Sequence, residues 1–234
     1  GSAQQGGCAG VACDKGLNTP RGLSYDGTRL FVADTANHRV MVWNTIPAAT
    51  TNPGPVADNV IGQPDFTTGT TGVTQAKLNG PYGVYSDGTQ VFVADSNNSR
   101  VMIWNSIPTV ANTNADAVLG KANFTTSGYD SAPDSQDFGI PYGITGCTSG
   151  TTKYLVIGDS QRNRVMLWVS TAFQNSTFAA AQRVFGQLTL GSTNGQGISS
   201  NRIKIPYQLA CDGKSLYVSD PSNDRVIVVP IPSS

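Results

Sequence analysis

Four times along the chain an apolar run breaks into a short polar turn and becomes apolar again. The four copies read VADTANHRVMVW (32–43), VADSNNSRVMIW (93–104), IGDSQRNRVMLW (157–168) and VSDPSNDRVIVV (218–229). Apolar stretches this short, rich in Val and Ile and bounded by turn residues, predict strands rather than helices. The spacing is regular. The Asp that opens each turn recurs at Asp34, Asp95, Asp159 and Asp220, and the closing Arg at Arg39, Arg100, Arg164 and Arg225, giving intervals of 61, 64 and 61 residues. A proline opens each unit (Pro20, Pro81, Pro141, Pro206), and three units carry a later strand in VIGQPDF (60–66), VLGKANF (118–124) and VFGQLTL (184–190).

Each unit therefore predicts four short antiparallel strands. A strand after the proline ends at Asp26-Gly27, Asp87-Gly88 or Asp212-Gly213, where glycine supplies the positive φ that a tight hairpin needs. A second strand, the D-x-x-N-x-R turn, a third strand and the VIGQ-type strand complete it. Both faces of the third strand are apolar (Val40 and Val42 on one, Met41 and Trp43 on the other), so each sheet must be covered on both sides. Sheets of four strands stacked around an axis make a β-propeller. Only TAFQNSTFAAAQR (171–183) shows helical propensity.

The D-x-x-N-x-R-[VI] turn, present as DTANHRV, DSNNSRV, DPSNDRV and, with a substitution, DSQRNRV, resembles that of the NHL-repeat family. The openings PRG, PYG and PYG match the family pattern, and the last unit has PYQ. The resemblance covers Leu17 to about Val229 and implies a propeller. It leaves the function open, because the family includes protein-binding and RNA-binding modules, sensors and a lyase.

The expected architecture is all-β, with residues 1–16 as an N-terminal segment, 17–77, 78–138 and 139–202 as three full blades, and 203–234 as a partial fourth, all in one propeller domain. GGCAGVA (6–12) is the candidate strand that closes the ring. A closed ring predicts a monomer and an open one a homo-oligomer.

Composition narrows the function. Charged residues are 13% of the 234 and the formal net charge is zero, so no overall field gathers nucleic acid. No apolar run approaches the ~18 residues of a membrane span. The opening GSAQQGG lacks the basic and apolar regions of a signal peptide, and AQQ fits a mature start after removal of one. With four cysteines and few Lys or Glu, this points to an extracytoplasmic protein (secreted, periplasmic or at the cell surface). The expected disulfides are Cys8–Cys13 and Cys147–Cys211, with a staple from Cys8 or Cys13 to Cys211 as the alternative.

The Asp–Arg pairs Asp34/Arg39, Asp95/Arg100, Asp159/Arg164 and Asp220/Arg225 are expected to hold turns, because a motif used in every blade is a folding device before it is four sites. Trp43, Trp104 and Trp168 share one repeat position and are expected in the core between blades. Phe66 and Phe124 are expected to anchor the long loops. The candidate ligand-binding residues are those that ring the axis just after the prolines, Arg21, Tyr82, Tyr142 and Tyr207, together with the turn residues Asn37, His38, Asn98, Arg162 and Asn223. Three tyrosines and an arginine at a funnel mouth suit a sugar ring or a peptide, with Arg21 on a carboxylate. One histidine, no zinc spacing among the cysteines and apolar strand positions (Leu23, Val84, Ile144, Leu209) predict neither metal nor cofactor.

The resulting expectation is a non-enzymatic recognition module for a glycan, peptide or protein, without nucleic-acid binding or membrane insertion. The alternatives are a propeller hydrolase or lyase with an axial metal, and a self-associating structural surface protein.

Overall fold

The computed structural model describes residues 12–48, 54–129, 134–169, 177–192 and 202–231. Fifteen strands form four antiparallel sheets arranged as a four-bladed β-propeller, with no α-helix among the described residues. Blade 1 contains β1 (Pro20–Tyr25), β2 (Leu30–Asp34), β3 (Arg39–Trp43) and β4 (Asn59–Ile61). Blade 2 contains β5 (Pro81–Ser86), β6 (Val91–Asp95), β7 (Arg100–Trp104) and β8 (Ala117–Leu119). Blade 3 contains β9 (Pro141–Ser149), β10 (Thr152–Asp159), β11 (Arg164–Val169) and β12 (Arg183–Phe185). Blade 4 contains β13 (Leu209–Cys211), β14 (Ser215–Asp220) and β15 (Arg225–Pro230). The candidate closing strand 6–12 lies outside the described residues except for Ala12, as do residues 171–176 of the stretch with helical propensity, whose described part, 177–183, contains no helix. Its last residue, Arg183, begins β12.

Period-2 alternation decides which blade each side chain meets. Phe31, Ala33, Val40 and Val42 of blade 1 share a core with Val84, Val91, Val93, Met102 and Trp104 of blade 2. A second core joins blades 2 and 3, and a third joins blades 3 and 4. Trp104 and Trp168 lie in the inter-blade cores as expected, 1% and 0% exposed, whereas Trp43 packs in a separate cluster on blade 1 with Met41, Ala57 and Val60. The indole N–H groups of Trp104 and Trp168 donate to Thr113 and Ala179 carbonyls, which satisfies the one polar atom they carry. Val84, Ile144 and Leu209 belong to these inter-blade cores instead of lining the axis, and Leu23 is largely exposed.

Two sequence signals set the blade spacing. The glycine of each P-x-G opening sits where consecutive inner strands come closest. A Cβ at Gly22 would lie 2.5 Å from the Tyr82 carbonyl oxygen, and one at Gly143 2.7 Å from that of Tyr207. The residue after each turn Asp then ties its blade to the next: Thr35 donates to the Pro81 carbonyl, Ser96 to Pro141 and Ser160 to Pro206. Blade 4 has Gln208 and Pro221 at these two positions, and on its outward face Val226 and Val228 are exposed.

Cys147 of β9 and Cys211 of β13 form the expected disulfide between blades 3 and 4, with their Cα atoms 5.5 Å apart. Cys13 is also disulfide-bonded. The expected Cys8 pairing lies outside the described residues.

Candidate functional site

The four turns share one geometry. Each opens at its Asp, passes through Thr35–Asn37, Ser96–Asn98 or Pro221–Asn223 as a 3-10 turn in blades 1, 2 and 4, and ends on a left-handed residue. Those residues are His38, Ser99, Asn163 and Asp224, at φ of 50 to 55°. The carboxylate works with both oxygens. Oδ1 accepts the backbone N–H of Asn18, Asn79, Gly139 or Lys204, which pins the loop that leads into the same blade. Oδ2 accepts Nε of Arg39, Arg100, Arg164 or Arg225 at 2.7, 2.7, 3.0 and 2.8 Å.

The turn residues considered as ligand contacts are held inside this lattice. Asn37, Asn98 and Asn223 each donate Nδ2 to Oδ2 of their own turn Asp, and Asn98 also donates to the Gly72 carbonyl. Blade 3 carries Arg162 where the others have Asn, and its guanidinium forms a buried pair with Asp137 instead. His38 accepts the Gly80 N–H on Nδ1 at 3.0 Å, a link from blade 1 to blade 2. In blade 3 the Asn163 side-chain oxygen accepts the Ile205 N–H in the same way.

Burial holds the His38 imidazole below its ordinary pKa of about 6.5, and the Asp34 charge only partly offsets it. A protonated Nδ1 also cannot accept the Gly80 N–H. The unfolded chain therefore takes up this proton first as the pH falls. The stability from a neutral His38 is complete above pH 6.5 and is lost as the pH falls toward the folded-state value. Because this is the single histidine, the melting temperature is expected to drop between pH 7.5 and 5.5. His38→Asn, which restores the acceptor used in blade 3, should flatten that slope. An unchanged slope in the variant would assign the pH dependence elsewhere.

The axial residues do converge. The rings of Tyr82 and Tyr142 are stacked with centroids 4.1 Å apart, Tyr207 meets Tyr142 at 5.0 Å, and it meets Tyr82 edge-on at 5.6 Å. Arg21 donates Nη1 to the Tyr82 hydroxyl at 3.0 Å, with its guanidinium carbon 5.1 Å from that ring's centroid. Exposure grades across the cluster: Tyr82 is buried, Tyr142 and Tyr207 are half-buried, and Arg21 is exposed. Burial pushes the Tyr82 and Tyr142 phenols up, so both remain neutral donors at physiological pH.

Beside Tyr142 a cavity of about 360 Å³ opens between blades 3 and 4, lined by Ile140, Tyr142, Ser160, Gln161, Asn163, Lys204 and Ile205. Ser160 and Asn163 are committed to the Pro206 carbonyl and the Ile205 N–H, which leaves the Lys204 ammonium and the Gln161 amide as its adaptable polar groups. The repeat pattern could not single these two out. Lys204 lies in a loop before its proline and Gln161 at a variable turn position, and only the stacking of blade 4 on blade 3 brings them together. Among the described residues no three His, Cys, Asp or Glu side chains gather in a metal-holding arrangement, and no helix is long and apolar enough to cross a membrane.

No protein-family model matches the chain, and no curated protein matches its sequence. Solved structures do share its architecture. An auxiliary nutrient binding protein from Bacteroides ovatus ATCC 8483 is similar with a TM-score of 0.55 at 10% identity, over 93% of this chain and 49% of that one. A virginiamycin B lyase from Staphylococcus aureus gives 0.44 at 12% identity, over 93% and 57%, and a nidogen/laminin complex gives 0.41 at 15%, over 92% and 76%. The chain thus spans about half the length of the first of these proteins, and at such identities the likeness establishes the fold alone, a β-propeller.

Proposed function

We propose that this propeller is a non-catalytic recognition module, and that it binds a carboxylate-bearing saccharide in the cavity beside Tyr142. The observation that carries this reading is the set of groups around that cavity. It combines an aromatic wall in Tyr142, an amide in Gln161 and a cation in Lys204, with the Arg21 guanidinium across the tyrosine cluster. A sugar ring supplies a face for the tyrosine and hydroxyls for the amide, and its carboxylate supplies a partner for the cations. The Bacteroides ovatus protein with the same fold is a nutrient binding protein by description, which agrees with this class of function. The Cys147–Cys211 bond suits an oxidising compartment, and we place the module outside the cytoplasm. The NHL-like turn supports the repeat assignment and has no role in binding, because its side chains are spent on the scaffold.

Calorimetric titration with an oligogalacturonate, its neutral counterpart and an acidic peptide tests the reading. Saturable binding of the first alone is expected. Lys204→Ala should weaken it about tenfold or more, given ~1.5–3 kcal/mol for a hydrogen bond to a charged group. Tyr142→Ala should weaken it further while the melting curve shifts modestly, since the ring is half-buried. Equal binding of the neutral sugar would sink the assignment of the cations, and binding of the peptide alone would replace the ligand class.

A further inference from the structure

The outer flank of blade 4 is built like the other three, and no fourth strand fills it among the described residues. In blade 2, Val118 of β8 is fully buried in one core cluster with Ile61, Leu78, Met102 and Trp104. The repeat gives each of these neighbours a counterpart two units on: Phe185, Ile203, Ile227 and Val229. These four residues line a groove of about 300 Å³ between β12 and β15, where no strand pairs with the outer edge of β15 among the described residues. The groove is the Val118 pocket without its valine.

A second observation, independent of shape, concerns the arginines. Nη1 of Arg39, Arg100 and Arg164 donates to the carbonyl of Phe66, Phe124 and Leu190, each just beyond the fourth strand of its blade. Arg225 keeps the bond from Nε to Asp220 and one from Nη2 to the Arg202 carbonyl, while its Nη1 has no acceptor among the described residues. Its side chain is 24% exposed where the other three are 0%.

We propose that this flank accepts an extended strand from a separate polypeptide. The strand would read x-Val-apolar-Gly-Gln (or Lys), and a carbonyl three residues beyond that last position would reach Arg225. The register follows from blades 2 and 3, where the middle valine pairs with Met102 or Met166 and the next residue with Val101 or Val165. In blade 4 the valine would pair with Ile227 and the following apolar residue with Val226. Main-chain hydrogen bonds to an open edge give affinity, and the buried valine gives selectivity. The glycine is required because Gly62, Gly120 and Gly186 all lie at φ near +90° against Leu78, Phe138 and Ile203.

A fluorescent peptide with the sequence of residues 57–66 (ADNVIGQPDF) is the probe, titrated onto the full chain by anisotropy and followed by amide exchange. Saturable binding is expected, weakened at least tenfold in peptides carrying Val60→Asp or Gly62→Val, with new protection confined to 225–230. Equal affinity of the three peptides, or protection elsewhere, overturns the proposal. So does a chain that binds no peptide and already protects 226–230 alone, because it fills its own groove. None of these outcomes depends on the saccharide cavity, which shares no lining residue with this groove.

Discussion

Arg100→Ala should be among the most damaging single changes in this protein, with an expected loss of about 3–5 kcal/mol of stability, the range for removing one partner of a buried ion pair. Both side chains of the Asp95–Arg100 pair are 0% exposed. The guanidinium donates to Asp95 through Nε, to the Phe124 carbonyl through Nη1, and to the Thr74 and Lys77 carbonyls through Nη2. Removing it strands three carbonyls and a fully buried carboxylate. Burial already pushes the Asp95 carboxyl upward against the pull of Arg100, so without the arginine this group must take a proton or remain charged in the core. The same change at Arg225 makes a sharp control. That side chain is 24% exposed and makes two described hydrogen bonds, one of them to the buried Asp220 carboxylate, so its loss should be smaller, about 1.5–3 kcal/mol. Urea denaturation of the two variants decides the matter. Equal losses would show that the turn, not the buried network, sets the stability.

Gly83→Val is expected to cost about 3 kcal/mol or more, at or beyond the upper end of the range for overpacking. A side chain here points at the neighbouring inner strand, against the Tyr142 carbonyl oxygen and the Ile144 side chain. Little can move away, because the obstacle is the backbone at the start of β9. Gly22→Val should be milder, since β1 has no blade on its other side among the described core clusters and can shift outward. Tyr82, Tyr142 and Tyr207 sit beside these glycines, so the Gly83 variant should also disturb near-ultraviolet circular dichroism from the ring cluster. A folded Gly83→Val protein with an unchanged melting temperature would mean that the inner strands are not in contact as described.

The repeat was legible because the blade packs on itself. A side chain buried against an equivalent neighbour must recur at the same position, as Met41, Met102 and Met166 do. The turn was legible for the same reason, and Arg162 shows how a departure should be interpreted: the Asn it replaces is exchanged for a second buried pair with Asp137. The cavity was not legible. Lys204 and Gln161 come from different blades and from positions that do not repeat, so no period marks them. The glycine of P-x-G was visible as a motif but not as a cause, since its reason is the backbone of the next blade, 59 to 64 residues away. The turn residues His38, Asn98 and Arg162 looked available because Gly80, Gly72 and Asp137 lie on loops that the sequence cannot place, and Asn37 and Asn223 because the pattern does not show that each closes on its own turn Asp.

The bond between Cys147 and Cys211 has a mechanical side. It spans 64 residues that include most of blade 3 and the start of blade 4. A chain pulled from its ends can pay out only the residues outside that loop, and its fully stretched length falls short by roughly 64 times ~3.4 Å, or ~220 Å. Single-molecule extension should therefore show one hidden segment of that length, released as an abrupt step when reductant is added under load. Blades 1 and 2 carry no such lock and should yield first.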